Sequence, residues 1–248
     1  MPPNGQAGNI TEDGLLGGKL RYRQLATGHR SGFEPVLLAA SVAACAGDRV
    51  LEAGTGAGAG LLCLGYRVPG ITGIGVEIAP DLAELAQVNF ENNGYHRISC
   101  ICTDLGKARF DTMFDHAMAN PPWHQQASTN SPDAARALAH HAPTGLLAAW
   151  IEGLTRYLKP RGSLTLILPA ASTGEAFGSL RLHRYGSFRL FPLWPRADRP
   201  AKLVIIAARL HGRAADQLLP GLVLHDAAGI TPAAEAILRD GAPTALAR

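Results

Sequence analysis

The chain has 248 residues, 47% of them hydrophobic and 17% charged, a balance that fills the core of one large folded domain and excludes a disordered chain. No apolar run approaches the roughly 18 residues of a membrane span, and the N-terminal "MPPNGQAGN" has neither the basic start nor the apolar stretch of a signal peptide. A formal charge of +3 is too small to demand a nucleic-acid partner by itself. Residues 1–18 read as a flexible tail and 19–248 as a single domain with N- and C-terminal elaborations, at work in the cytoplasm.

In chain order, "RVLEAGTGAGAG" gives a short apolar strand running into a glycine-rich turn, and "LLCLGYRV" follows as a helix. "ITGIGVEI" is a second strand. "PDLAELAQVNFENNG" is a helix with Pro80 and Asp81 in its first turn and Gly94 just past its end. "ISCICTDL" and "FDHAMAN" are the third and fourth strands. Pro143 to Leu158 forms a helix with Leu147, Trp150, Ile151 and Leu154 among the residues of its apolar face, and "KPRG" turns it into the fifth strand, "SLTLILP". Strands alternating with helices mean a parallel sheet covered on both faces. "YGSFRLFPLW" and "AKLVIIAARL", joined by "PRADRP", read as an antiparallel pair. The helix "TPAAEAILRDG" closes the chain, with Thr231 as its cap and Pro232 at its first position.

Cys45, Cys63, Cys100 and Cys102 lack CxxC spacing and read as free thiols, and the spacing of His124, His140 and His141 matches no ligand pattern, so no metal is expected. Charge is unevenly spread. Residues 181–213 carry seven Arg and one Lys against one acid, Asp198, and a second basic cluster, "KLRYRQLATGHR", lies at 19–30. Each reads either as a phosphate-binding surface or as a solvated face.

Two motifs carry chemistry. In "EAGTGAGAG" Gly54, Gly56 and Gly58 let the backbone turn sharply and approach a ligand, while Glu77, ending the second strand, can accept hydrogen bonds from ribose hydroxyls. Asp104, after the third strand, can reach an adenine edge. The loop alone fits a nicotinamide cofactor as well. Glu52 favours a cationic ligand, such as the aminoacyl end of S-adenosylmethionine, over a pyrophosphate. The second motif is Asn120-Pro121-Pro122-Trp123, at the end of the fourth strand. The amide oxygen of Asn120 and the carbonyl of Pro121 offer two acceptors to an amine. The prolines fix the backbone, and Trp123 offers a face on which a planar group stacks.

"LEAGTGAG", "VEI", "TDL" and "NPPW", in that order, resemble the class I S-adenosylmethionine-dependent methyltransferases that modify exocyclic or amide nitrogens. "GHRSGFEPVLLAA", "PLWPRADRPAKLVIIAAR" and "LVLHDAAGITPAAEAILRDG" further resemble the bacterial tRNA adenine-N6 methyltransferases that act beside the anticodon of a valine tRNA. The resemblance runs from about residue 10 to 240. It implies an α/β, doubly wound, Rossmann-like sheet of seven mostly parallel strands with an antiparallel C-terminal pair. It also implies an RNA substrate, S-adenosylmethionine as methyl donor, and a target adenine swung out onto Trp123. One departure stands out: Gly32-Phe33-Glu34 replaces the family's usual Gly-Thr-Asp. Three other readings remain: a glutamine-amide methyltransferase acting on a protein, a nicotinamide oxidoreductase, and a noncatalytic nucleic-acid-binding module.

Overall fold

Period-two alternation sorts the buried residues of the central strands into two separate cores. Val50, Met118, Ile167 and Ile205 point to one face, while their neighbours Leu51, Ala117, Leu166 and Ile206 point to the other. The sheet therefore has to be covered twice. The computed structural model describes residues 10–27, 30–122 and 145–247. Strands β3 (Arg49–Ala53), β4 (Thr72–Glu77), β5 (Ile98–Cys102), β6 (Phe114–Ala119), β7 (Leu158–Pro169), β8 (Tyr185–Trp194) and β9 (Leu203–Leu210) form its body. Their lateral order is β8-β9-β7-β6-β3-β4-β5. The β8–β9 pair is antiparallel as expected, and β9 alone runs against the rest. Two short strands, β10 (Gln217–Leu218) and β11 (Leu222–Val223), add to the edge of β8 and bring the sheet to nine.

Helices α1 (Glu34–Ala39), α2 (Ala59–Arg67), α3 (Pro80–Asn92) and α6 (Pro232–Asp240) close one core. Helices α4 (Leu146–Thr155) and α5 (Thr173–Leu182) close the other. The boundaries of α6 follow its signals: Thr231 Oγ1 accepts the Ala234 N–H at 3.2 Å, Pro232 opens the helix, and Gly241 ends it in the left-handed region at φ 71°. The helix expected over 143–158 is shorter. It begins after Gly145, whose φ is 86°, and Leu158 already belongs to β7 because the Phe114 N–H claims the Tyr157 carbonyl at 2.8 Å; Pro143 lies outside the described residues.

Residues 10–18, expected as part of a tail, are ordered. β1 (Ile10–Leu15) pairs with β2 (Leu20–Leu25) as a hairpin, and Leu16, Leu20 and Tyr22 are buried in the core beside α2 and α3. Asparagines dock the hairpin. Asn89 on α3 and Asn93, the residue that ends it, exchange hydrogen bonds with the N–H and C=O of Arg23 and Arg21 on the free edge of β2, at 2.7–3.0 Å. Each amide side chain thus stands in for a residue of a neighbouring strand. No helix among the described residues is long and apolar enough to cross a membrane.

Candidate active site

The carboxyl ends of β5, β4, β3 and β6 form one continuous rim, and every described site residue expected from the sequence lies along or just beneath it. From β5 to β6 the order is Asp104, Glu77, the glycine loop and Asn120. Three strand spacings separate the ends, about 14 Å.

The loop leaves β3 at Gly54 and enters α2 at Gly58, with φ of 61°, 56° and 89° at Gly54, Gly56 and Gly58. Two of these glycines are needed for room as well. A Cβ on Gly54 would run into the indole of Trp150, and one on Gly58 would come within 2.7 Å of the Phe90 ring. At Gly56 nothing among the described residues lies within 4 Å of that position. Above it, Glu77 is 8% exposed. Its Oε2 accepts the Gly56 N–H and its Oε1 accepts the N–H groups of Ile78 and Ala79, all at 2.9 Å. Asp104 is exposed, and its Oδ1 accepts the Gly106 N–H at 2.7 Å in a tight turn.

Glu52 sits under the loop rather than in the cleft. Only 3% of it is exposed, Thr55 Oγ1 donates to its Oε2, and the Leu61 N–H reaches the same oxygen at 3.3 Å. Burial pushes its carboxyl up to about 8, against those two hydrogen bonds and with the charge of Glu77 adding to the rise. Through Oε2, Glu52 ties Thr55 of the loop to Leu61 in the first turn of α2.

Ala119, the last residue of β6, lies opposite Ala53 of β3, so the next residue, Asn120, comes level with Gly54. Asn120 is half-buried and Pro121 buried. Trp123, with His124, His140 and His141, lies outside the described residues. Sequence reasoning assigned Trp150 to the apolar face of a helix. It is half-buried, and its ring forms the support against which Gly54 turns. Asn89 was missed altogether: 1% exposed, it donates to the carbonyl of Ala57 in the loop at 2.9 Å and ties α3 and β2 to it. A buried Asn on an otherwise apolar helix face was the available signal. Phe33 and Glu34, the departure noted above, stand at the start of α1.

The two basic clusters differ. At 19–30, Lys19 pairs with Asp240 (2.6 Å), Arg23 with Glu12 (3.2 Å) and Arg30 with Asp13 (2.8 Å). These exposed pairs contribute little to stability, but they neutralise most of that face. The 181–213 cluster is divided by its own hairpin. Arg196, Arg199 and Lys202 occupy the β8–β9 turn at the same pole as Asn120, whereas Arg189 lies at mid-strand and Arg209 toward the opposite pole.

Residues 35–173 match the family described as methyltransferase small domain. A tRNA1(Val) (adenine(37)-N6)-methyltransferase of Shewanella baltica is 30% identical over 158 residues, 61% of this chain and 65% of that protein. A protein of the same name from Parabacteroides distasonis is 29% identical over 178 residues, 71% of this chain and 74% of that protein. The chain thus spans just under two thirds of the length of the Shewanella relative. Among solved structures, one described as a predicted O-methyltransferase of Agrobacterium tumefaciens superposes with a TM-score of 0.69 at 22% identity, over 85% of this chain and 97% of that one. An S-adenosylmethionine-dependent O-methyltransferase of Thermotoga maritima does so with 0.54 at 18%, over 77% and 69%. At these identities the structures establish the fold.

Proposed function

The chain belongs to the methyltransferase small domain family, and we propose that it transfers a methyl group from S-adenosylmethionine to the exocyclic amine of an adenine in tRNA. The observation that carries the proposal is the position of Asn120, level with Gly54 at the end of β6, on the rim that also holds Glu77 and Asp104. The names of the relatives support adenine and tRNA as the acceptor, and work on tRNA supports a cytoplasmic location.

The residues fit an extended adenosyl ligand. Asp104 faces solvent where an adenine amine would lie, Glu77 offers carboxylate lone pairs to ribose hydroxyls, and at Gly56 no described residue stands in the way of the tail. Bound there, the donor supplies an electrophilic methyl on a sulfonium. The amine of adenine is a poor nucleophile, because its lone pair is conjugated with the ring. The Asn120 amide oxygen and the Pro121 carbonyl accept its two N–H bonds, favour pyramidalisation and aim the lone pair at the methyl. The donor would give up its methyl with the C–S electron pair staying on sulfur, and the methylated nitrogen would lose a proton to solvent. Positioning and electrostatics supply the catalysis, with no dedicated base. In this reading Trp123 stacks on the extruded base.

The test is methyl transfer from labelled S-adenosylmethionine to tRNA and to protein fractions by wild type and Asn120→Ala. The variant loses one of two orienting acceptors, so turnover on tRNA should fall by roughly a hundredfold while cofactor affinity stays near that of wild type. Label appearing in protein instead of RNA would overturn the acceptor. Wild-type turnover by the variant would overturn the role of Asn120.

A further inference from the structure

The pole of the sheet opposite the rim carries a cavity of about 680 Å³ that the proposed chemistry does not use. Into it face four arginines, Arg161, Arg189, Arg209 and Arg213, together with His211 and Ser187, and no carboxylate among the described residues lines it. None of the four arginines forms an ion pair among the described residues. The two guanidinium NH2 groups of Arg189 donate to the neutral carbonyls of Leu246 and Ala245 at 2.9 and 2.7 Å, and its buried Nε has no partner among the described residues. Arg209 reaches only the carbonyl of Arg161, at 3.3 Å. Acids nearby are engaged elsewhere. Asp216 holds Arg181 and the Phe188 N–H, while Asp48 holds His116, which in turn holds Ser163, the residue opposite Arg209. Four like charges with no paired counter-ion among the described residues repel one another, and a bound anion would relieve that repulsion.

The backbone points the same way. Among the described residues five non-glycines have positive φ, and three of them, Arg161 (67°), Ser187 (55°) and His211 (57°), line this cavity. Register shifts between Gly186 and Arg189 of β8, and between Leu158 and Ser163 of β7, fall on strands that line it. Strained residues and bulges persist where a side chain has to be aimed. Arg209 lies opposite Ser163, which pairs with His116, four residues before Asn120, so that side of the cavity is about 13 Å from the rim along the strands, and β7 separates it from β6 across the sheet. It is a separate site.

We propose that this basal cavity binds a phosphoryl group carrying at least two negative charges. Guanidinium forks match phosphate oxygens in pairs, and the volume admits a pyrophosphate-sized group. The phosphate can belong to an RNA backbone or to a free phosphorylated ligand. The inference stands whether or not the methyl acceptor is tRNA.

Calorimetric titration of the full chain with inorganic pyrophosphate at low salt tests it. The expected result is saturable one-site binding, weakened about tenfold or more in Arg209→Gln/Arg213→Gln, since hydrogen bonds to charged groups are lost, with S-adenosylmethionine affinity unchanged. Arg161→Gly removes a third charge while relieving a positive φ, so it should weaken pyrophosphate binding without loss of melting temperature. It keeps the test valid if the double variant folds poorly. Arg196→Gln/Arg199→Gln, at the other pole, should bind pyrophosphate as wild type does. Absence of saturable binding at millimolar pyrophosphate, or equal affinity in the basal variants and wild type, overturns the proposal. So does equal weakening by the Arg196/Arg199 pair, which would mean general attraction to a cation. With binding established, displacement of pyrophosphate by tRNA assigns the site to the RNA backbone, and absence of displacement assigns it to a free phosphorylated ligand.

Discussion

Glu77 and Gly56 are joined across the cleft: the carboxylate Oε2 of one accepts the backbone N–H of the other at 2.9 Å. The residue that would hold the ribose therefore also sets the height of the loop beneath it.

Replacing Glu77 with Ala should remove both functions at once. Hydrogen bonds to a charged group are worth about 1.5–3 kcal/mol, so S-adenosylmethionine affinity should fall at least about tenfold in a calorimetric titration. Glu77→Gln keeps one oxygen for the loop and should fall between wild type and Ala. Unchanged affinity in Glu77→Ala would remove Glu77 from the donor site.

Glu52 should make the protein less stable as pH rises. Its folded-state carboxyl is raised from 4.5 to about 8 by burial. The folded state thus holds a proton that the unfolded chain gives up at 4.5, and the contribution to stability is full below 4.5 and lost as pH climbs toward 8. Glu52→Gln, which carries no proton to lose, should gain on wild type by about 1.4 kcal/mol per pH unit in that window, or about 3 kcal/mol at pH 7. Urea unfolding of both proteins across the window checks this. Parallel curves for the two would show that Glu52 is ionised in the folded protein.

Asn89→Ala should cost more stability than its small volume suggests. Three hydrogen bonds vanish, leaving the N–H and C=O of Arg23 and the carbonyl of Ala57 without their partner. Unsatisfied buried groups cost about 1–3 kcal/mol each, so a loss of about 3 kcal/mol is expected, with weaker cofactor binding because Ala57 belongs to the loop. Asn93→Ala loses its bonds to Arg21 and to the Asn89 carbonyl, none of them to the loop, and should cost about 1 kcal/mol with no effect on cofactor. Equal losses for the two would refute the link to the loop.

Affinity for tRNA should decline steeply with salt. Arg196 and Arg199 are exposed at the rim pole, so Arg196→Gln/Arg199→Gln should reduce the logarithmic salt slope by about 0.7–0.9 for each phosphate that is no longer neutralised. Binding measured by filter retention over a salt series gives the slope. A slope equal to that of wild type would make these two arginines a solvated face.

The central strands and the order of the rim were legible because apolar runs, glycine turns and helix caps are local signals, as Thr231, Pro232 and Gly241 show at α6. What escaped depends on pairing between distant segments. β1 and β2 lack strong apolar runs, and they are ordered by each other and by Asn89 and Asn93, 66 to 72 residues away. Trp150 looks like any core residue until the fold lays it on Gly54. The basic run at 181–213 is one cluster in sequence and two in space, because an antiparallel turn sends Arg199 and Arg209 to opposite ends of the sheet. Within the Asn120-Pro121-Pro122-Trp123 motif, the structure describes the first three residues only.

The asparagine ladder between α3 and β2 has a geometric corollary. Two rungs four residues apart on a helix are spaced by about 6 Å, and two rungs two residues apart on a strand by about 6.7 Å. The ladder behaves as a vernier: the scales coincide over one interval and drift apart over the next. Two asparagines are therefore as many as the contact can use. With Asn89 also fastened to Ala57, sliding β2 by one pair would leave one amide with no counterpart. The hairpin then seats in one position, and the backbone of Arg23 is tied through Asn89 to Ala57 of the glycine loop.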